Sequence, residues 1–308
     1  MPEPGTFAAT LIVTFGRHAR VRDDSGKEFD ARPIGRKLDC VCGDRVDCRH
    51  DPEHGEVHIV AVQPRRNLLQ RADGRGRPEP VVANIDLLAV VAAPAPAPDY
   101  FMIDRYLAAA HCTGIEALLI ANKLDLEGGQ TTLHTLRSLA EALDVPVQAA
   151  CATDGHGIEE LLTRLRGRCA VLVGQSGVGK SSLLQALVPA MVQRVQELDR
   201  DDEGRHTTTR SELFQLPGGG ALIDSPGVRD FAPAISSLEP RSLGFADVEK
   251  LAPHCRFHDC RHMREPGCAV TEAVTAGTLD VRRHESYRRL RRLFEDLQPA
   301  PGARRGNR

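Results

Sequence analysis

Ala170-Val-Leu-Val-Gly174-Gln-Ser-Gly-Val-Gly-Lys180-Ser181-Ser182 decides how this 308-residue chain is built. Its apolar start reads as a buried strand, the stretch Lys180–Leu187 reads as a helix, and a glycine-rich turn joins them. Strand, glycine turn and helix in that order make a phosphate-binding loop. Glycines at 174, 177 and 179 let backbone N–H groups face inward around phosphate oxygens. The helix N-terminus adds a favourable dipole. Lys180 can reach the β- and γ-phosphates, and the Ser181 hydroxyl can ligate Mg2+. Gln175, Ser176, Val178 and Ser182 complete the expected cradle. A plain glycine turn before a helix is the competing reading of the motif taken alone.

On either side, short Val/Ile/Leu/Ala runs alternate with helix-like segments. The runs are Asp86–Ala93, Ala117–Ala121, Pro146–Cys151, Ala170–Val173 and Ala221–Ile223; the helical stretches are Asp104–His111, Leu133–Leu143, Ile158–Arg166 and Lys180–Leu187. This alternation predicts a mostly parallel sheet with helices on both faces. Ser211–Leu216 and Ala221–Asp224, either side of Pro217-Gly-Gly-Gly220, read as a hairpin. Residues 7–62 carry strand-like runs broken by turns at Asp23–Gly26 and Gly43-Asp44, which predicts a small β-barrel. A Gly/Pro/Arg-rich stretch at 71–80 reads as a linker, and a helix over Asp280–Leu297 closes the chain. The expected division is a barrel over 1–70, a linker over 71–84, an α/β domain over 85–232, a mainly helical metal-binding domain over 233–298 and a disordered tail over 299–308.

Composition narrows the classes. Hydrophobic residues at 41% and charged residues at 27% exclude wholesale disorder, and a net charge of −2 excludes a uniformly basic coat. The charge is uneven: residues 81–249 hold 13 basic against 22 acidic side chains, whereas 280–308 hold 9 against 4. A basic tail beside an acidic body suits docking on a polyanion; a solvated helix face is the alternative. No apolar run reaches the roughly 18–20 residues of a membrane helix. The start of the chain has no signal-peptide pattern, so a cytoplasmic protein with no membrane partner is expected. Nine cysteines, an odd number, argue against a disulfide framework and for some metal ligands.

Asn122-Lys123-Leu124-Asp125 follows the Ala117–Ala121 strand. An Asp there can accept from both N1–H and N2–H of guanine, a donor pair that adenine lacks. Cys151-Ala152 ends the next strand and is the candidate loop against the guanine carbonyl. Asp224-Ser-Pro-Gly227 fits an Asp-x-x-Gly loop, with Asp224 holding Mg2+ through water and the Gly227 N–H on the γ-phosphate. One of Thr207, Thr208 and Thr209, with Thr208 the expected one, closes over the metal. These are the parts of a GTPase in an unusual order, because the base-reading loops precede the phosphate loop. A circular permutation cut after Asp224 accounts for the order. It also runs the γ-phosphate-sensing loop straight into the C-terminal region.

Val228 follows Gly227, and an aliphatic side chain cannot orient a water. His206 is the candidate substitute as the catalytic residue; an exposed loop histidine is the alternative. Cys255-x4-Cys260-x-His262-x5-Cys268 places three thiolates and an imidazole in a short loop, which suits one structural, tetrahedral Zn2+. Cys40, Cys42, Cys48 and His50 have awkward spacing for a single metal and read as ordinary thiols. For nucleic acid, the candidate phosphate contacts are Arg17, Arg20, Arg22, Arg36 and Lys37, with Arg288, Arg289, Arg291 and Arg292 near the C-terminus. Solvated surface charge is the alternative for each.

In combination these motifs, with Pro64-Arg-Arg-Asn67 ahead of the α/β region and Gly204-Arg-His-Thr-Thr-Thr209 after the phosphate loop, resemble the ribosome small subunit-dependent GTPase A (RsgA-type) family. The resemblance implies an N-terminal OB-fold, a permuted GTPase domain and a C-terminal zinc domain. It also implies work on GTP with Mg2+ in late maturation of the small ribosomal subunit. There the subunit and its rRNA are partners, the subunit stimulates hydrolysis, and a monomer is expected. The family's proposed catalytic His matches His206. This chain departs from the pattern at Cys151, where the base loop usually has Ser. Two other readings stay open: a nucleotide-gated RNA-binding switch with little turnover, and a GTPase acting on another RNA.

Overall fold

The computed structural model describes residues 5–16, 18–34, 39–51, 55–73, 77–189, 211–225, 234 and 238–297. The first strands are β1 (Thr6–Phe15), β2 (His18–Asp23), β3 (Glu28–Pro33), β4 (Arg45–His50) and β5 (Val57–Val62). They pair in the order β1-β2-β3-β5-β4, and β4 returns to β1, so the ring closes. The β3–β5 contact is parallel and the other contacts are antiparallel. This is the five-stranded barrel of the OB type, and closure leaves no open edge to aggregate. Period-2 alternation fills it: Ala19 and Val21 point inward from β2 to join Leu11, Val46, Val57 and Ile59, while His18, Arg20 and Arg22 lie on the other side. The β2–β3 turn is held by Asp23, whose carboxylate accepts from the Ser25 and Lys27 N–H groups.

Next come β6 (Leu68–Ala72) and β7 (Pro78–Ala83), an antiparallel pair that builds part of the expected linker as a hairpin. Its Leu69, Val81 and Val82 are buried in the neighbouring core, which anchors the two strands.

The α/β region carries β8 (Leu87–Ala92), α1 (Tyr100–Thr113), β9 (Glu116–Ala121), α2 (Gly129–Leu143), β10 (Val147–Ala149), α3 (Ile158–Leu165), β11 (Cys169–Gly174), α4 (Lys180–Leu187), β12 (Ser211–Gln215) and β13 (Ala221–Asp224). The sheet order is β10-β9-β8-β11-β13-β12, parallel except for β12. β8 is buried along its whole length. Its Leu88, Val90 and Ala92 pack toward α1 and α2, whereas Leu87, Ala89 and Val91 pack toward α3 and α4. Two covered faces are what a parallel sheet requires, and each buried aliphatic side chain contributes roughly 1.5–3 kcal/mol. Asn122, Cys151, the phosphate loop and Asp224 all lie at or just beyond the carboxyl ends of these strands, where ligands bind in open α/β sheets. β1 also pairs with β12, so barrel and α/β sheet form one eleven-stranded sheet.

The C-terminal region has α5 (Ala246–Leu251), a 3-10 turn (Ala252–His254), α6 (Ala269–Thr275) and α7 (Val281–Asp296). Asp280 caps α7 by accepting from the Arg282 and Arg283 N–H groups. The core here is Phe245, Val248, Val270, Tyr287, Leu290 and Phe294, and it includes Ala108 from α1. A buried ion cluster joins α7 to α1: Asp104 accepts from Arg282 and Arg283, each at 2.7 Å, and Arg283 also reaches Asp247 at 2.8 Å. No described helix is long and apolar enough to cross a membrane.

Candidate functional site

The phosphate loop hangs between β11 and α4. Gly174 has φ +143°, and a Cβ there would overlap the Val91 carbonyl of the adjoining strand. Gly179, with φ +95°, lies against the Asn122 side-chain amide and leaves no room for a Cβ. Val178 is buried and anchors the loop in the core on the α3–α4 side, while Ser176, Gly177, Ser181 and Ser182 are exposed. Lys180 folds back over the loop and donates to the Gly174 carbonyl at 2.7 Å and the Gln175 carbonyl at 2.8 Å. Asp224, at the end of β13, lines one small cavity together with Lys180 and Ser181. An aspartate, a serine hydroxyl and a lysine around one space can hold a divalent cation beside a phosphate chain.

The Asn122–Asp125 segment, expected from the sequence to meet the base, is riveted to this loop. Asn122, 1% exposed, donates to the Val178 carbonyl at 2.9 Å and accepts from the Ala152 N–H at 3.4 Å. Lys123 donates to the Gly177 carbonyl at 2.6 Å and the Ala95 carbonyl at 2.9 Å. Cys151 is buried, and its thiol donates to the Asp125 carboxylate at 3.1 Å. Its loop is closed by Cys151 N–H to the His156 carbonyl at 2.8 Å and Gly155 N–H to the Cys151 carbonyl at 3.0 Å. So Asn122, Lys123, Asp125, Cys151, Ala152 and the loop 174–182 come together although up to sixty residues separate them in sequence. One contact carries no motif signal: the Gln175 side-chain carbonyl accepts from the Asp99 N–H at 3.1 Å, at the capped start of α1. His206, Thr207, Thr208, Thr209, Gly227 and Val228 lie outside the described residues.

The second cluster is Cys255, Cys260, His262 and Cys268, whose ligand atoms all lie within 4.8 Å of one another. Cys255 Sγ and Cys268 Sγ are 3.4 Å and 3.6 Å from His262 Nδ1, and 4.0 Å from each other. A tetrahedral zinc about 2.3 Å from sulfur and about 2.0–2.1 Å from nitrogen sets its ligands roughly 3.5–3.8 Å apart. The cluster fits that and can hold a metal ion. Burial, reinforced by Arg291, pulls His262 down to about 4, so its ring is neutral at pH 7, the form that ligates. Burial and the neighbouring thiols push Cys260 up to about 12; a coordinated cation reverses that balance for any thiol. His262 has φ +60°, and His284 of α7 donates from Nε2 to its carbonyl at 2.9 Å, which fixes the strained backbone. Glu265 pins the rest of the loop by accepting from the Arg261, Met263 and Arg264 N–H groups.

Of the other cysteines the sequence groups, Cys40 packs against the barrel core that holds Cys48, and Cys42 lies in a different core. Cys42 lies in the core beneath α1 and α2 and Cys48 in the barrel core; burial pushes Cys42 up and takes Cys48 to about 12. The candidate nucleic-acid contacts are mostly engaged within the protein. Arg20 pairs with Asp30 at 3.2 Å, Arg22 with Glu28 at 2.6 Å, and Arg288 and Arg292 with Glu285 at 3.0 Å and 3.5 Å. Arg289 lies over the Phe101 ring at 4.0 Å. Arg291 is a correction to the sequence reading: it is buried and donates to the Pro240 and Arg241 carbonyls, each at 2.7 Å, so it is a core residue. Arg17, Arg36 and Lys37 lie outside the described residues.

A phosphate loop and an Asn-Lys-x-Asp segment bonded to each other on one parallel sheet, with the base segment first in the chain, define a circularly permuted P-loop GTPase. A family model described as RsgA GTPase matches residues 62–233. Curated relatives named "Small ribosomal subunit biogenesis GTPase RsgA" include one from Azotobacter vinelandii, 46% identical over 253 residues (81% of this chain and 74% of that protein). Another, from Pseudomonas fluorescens, is 44% identical over 291 residues, covering 94% of this chain and 84% of that protein. Among solved structures, YjeQ from Thermotoga maritima superposes with a TM-score of 0.71 at 29% identity, covering 95% of this chain and 98% of that one. YloQ, described as a circularly permuted GTPase, superposes with a TM-score of 0.72 at 22% identity over 98% and 100% of the two chains, a likeness of fold. The chain belongs to the RsgA GTPase family. It is therefore a GTP-hydrolysing enzyme, and its substrate is GTP with Mg2+.

Proposed function

We propose that this GTPase acts, as a cytoplasmic monomer, in late maturation of the small ribosomal subunit, binding rRNA in the GTP state and leaving after subunit-stimulated hydrolysis. The names of its relatives support the reading. The observation that carries it is the coupled site: Asn122 and Lys123 tie the base segment to the phosphate loop through the Val178 and Gly177 carbonyls. Asp125 accepts from guanine N1–H and N2–H, and the Ala152 N–H meets the guanine carbonyl. Backbone N–H groups from Gln175 to Ser182 hold the phosphates, and Lys180 leaves its two carbonyls to meet the β- and γ-oxygens. Ser181, Thr208 and Asp224 would hold Mg2+, which would supply charge neutralisation at the transferring phosphoryl group. The Gly227 N–H bonds the γ-phosphate, and His206 orients the attacking water in place of the aliphatic Val228. Zn2+ on Cys255, Cys260, His262 and Cys268 keeps the C-terminal loop folded.

Co-sedimentation with purified small subunits tests the reading. The chain should pellet with subunits in a non-hydrolysable GTP analogue and stay in solution with GDP. Equal pelleting in both states, or none in either, contradicts it. Binding without turnover would favour the nucleotide-gated switch instead.

A further inference from the structure

The barrel meets the nucleotide-binding sheet through strand pairing. β1 has a bulge between Leu11 and Val13, and beyond it Val13 faces Glu212 and Thr14 faces Ser211 of β12. β12 in turn pairs with β13, Glu212 opposite Asp224. The Ser211 hydroxyl crosses this seam and donates to the Ser225 hydroxyl at 2.7 Å. Ser225 is 2% exposed and follows Asp224, the carboxylate that shares a cavity with Lys180 and Ser181. Three residues, Thr14, Ser211 and Ser225, thus lead from the barrel to the metal-side aspartate.

We propose that Ser211 is a positioning residue for GTP hydrolysis: its hydroxyl holds Ser225, and with it the Asp224 end of β13, in register with β12 and barrel strand β1. A load on the barrel then reaches Asp224, and a change at Asp224 reaches the barrel, as any coupling between two sites must be reciprocal. The hydroxyl pair suits this because Ser225 is buried: with Ser211 truncated, its oxygen loses that donor away from water and the start of the Asp224 loop loses its tie to β12. The link to the barrel rests on the proposed docking of this chain on the small subunit.

The test compares Ser211→Ala, Ser225→Ala, the double variant and Ser211→Thr in two assays: the Mg2+ concentration for half-maximal unstimulated turnover, and phosphate release with small subunits. Ser211→Ala should raise the Mg2+ half-saturation about fivefold, the worth of one neutral hydrogen bond, and lower the stimulated kcat by a similar factor. KM for GTP should stay within about twofold. Ser211→Thr keeps the hydroxyl and should restore most of both. Ser225→Ala should match Ser211→Ala, with the double variant no worse, because one bond is lost in all three. Unchanged Mg2+ half-saturation in Ser211→Ala, or losses that multiply in the double variant, overturns the positioning role. A Mg2+ shift with full stimulation overturns the link to the barrel. Wild-type protein that subunits fail to stimulate overturns the docking reading instead, while the Mg2+ assay still decides on Ser211.

Discussion

At the scale of one atom, the Cys151 thiol meets the carboxylate of Asp125, the residue proposed to bind guanine. A thiol is a weak donor, yet its acceptor here is the Asp125 carboxylate at 3.1 Å, and bonds to charged groups are stronger than neutral ones. With Cys151 holding one oxygen lobe, Asp125 faces the base loop in a set orientation. Cys151→Ala should weaken GDP binding about three- to tenfold, and Cys151→Ser should bind at least as tightly as wild type. Titration of a fluorescent GDP analogue measures both; an unchanged affinity in Cys151→Ala contradicts the orienting role. The sequence marks Cys151 as a departure from the usual serine, but the bond joins residues 26 apart in sequence, and only the fold shows that the thiol reaches Asp125.

At the scale of elements, the α1–α7 junction shows why local pattern has limits. The helical spacing of Leu290, Leu293, Phe294 and Leu297 is visible in the chain, but the structure buries only Leu290 and Phe294 and leaves Leu293 and Leu297 exposed. The arginines of α7 read as a basic surface, whereas Arg283 and Arg291 are buried. Period alone cannot tell a solvated arginine from one paired 179 residues away, as Arg283 is with Asp104. Pro64-Arg-Arg-Asn67 is a similar case. Arg65 forks onto the buried Asp44 of the barrel at 2.7 Å and 2.9 Å, Arg66 pairs with Asp86 at 2.7 Å, and Asn67 exchanges bonds with Ile85. That motif splices the barrel to the start of β8. By contrast, the sheet strands and the phosphate loop were legible because their signals are local: short apolar runs, and glycines where no Cβ fits. The cost of breaking the α1–α7 junction follows from burial. Asp104→Ala strands part of the Arg283 charge, and because Asp247 still pairs with it, the loss should fall near the lower end of the usual range, about 3 kcal/mol. Thermal or denaturant melting checks this. A variant as stable as wild type contradicts the assignment of the cluster as a structural joint.

In the whole molecule, among the described residues, the α/β sheet carries the barrel and the C-terminal region, each tied to it at a different place. The barrel enters through β1 and β12, beside the Asp224 end of β13. The C-terminal region enters through α1, whose capped start bonds Gln175 of the phosphate loop. The permuted order makes this possible, since it frees the end of β13 to lead into the C-terminal region. An acidic α/β body between these attachments leaves phosphate contact to local patches rather than to overall charge. The account therefore ties three things together: guanine selection, hydrolysis and contact with the small subunit. Phosphate release from GTP and from ATP, each with and without purified small subunits, measures all three at once. GTP should be hydrolysed slowly alone and at least about tenfold faster with subunits, and ATP should be left intact. Equal rates for GTP and ATP, or a GTP rate that subunits leave unchanged, would contradict it.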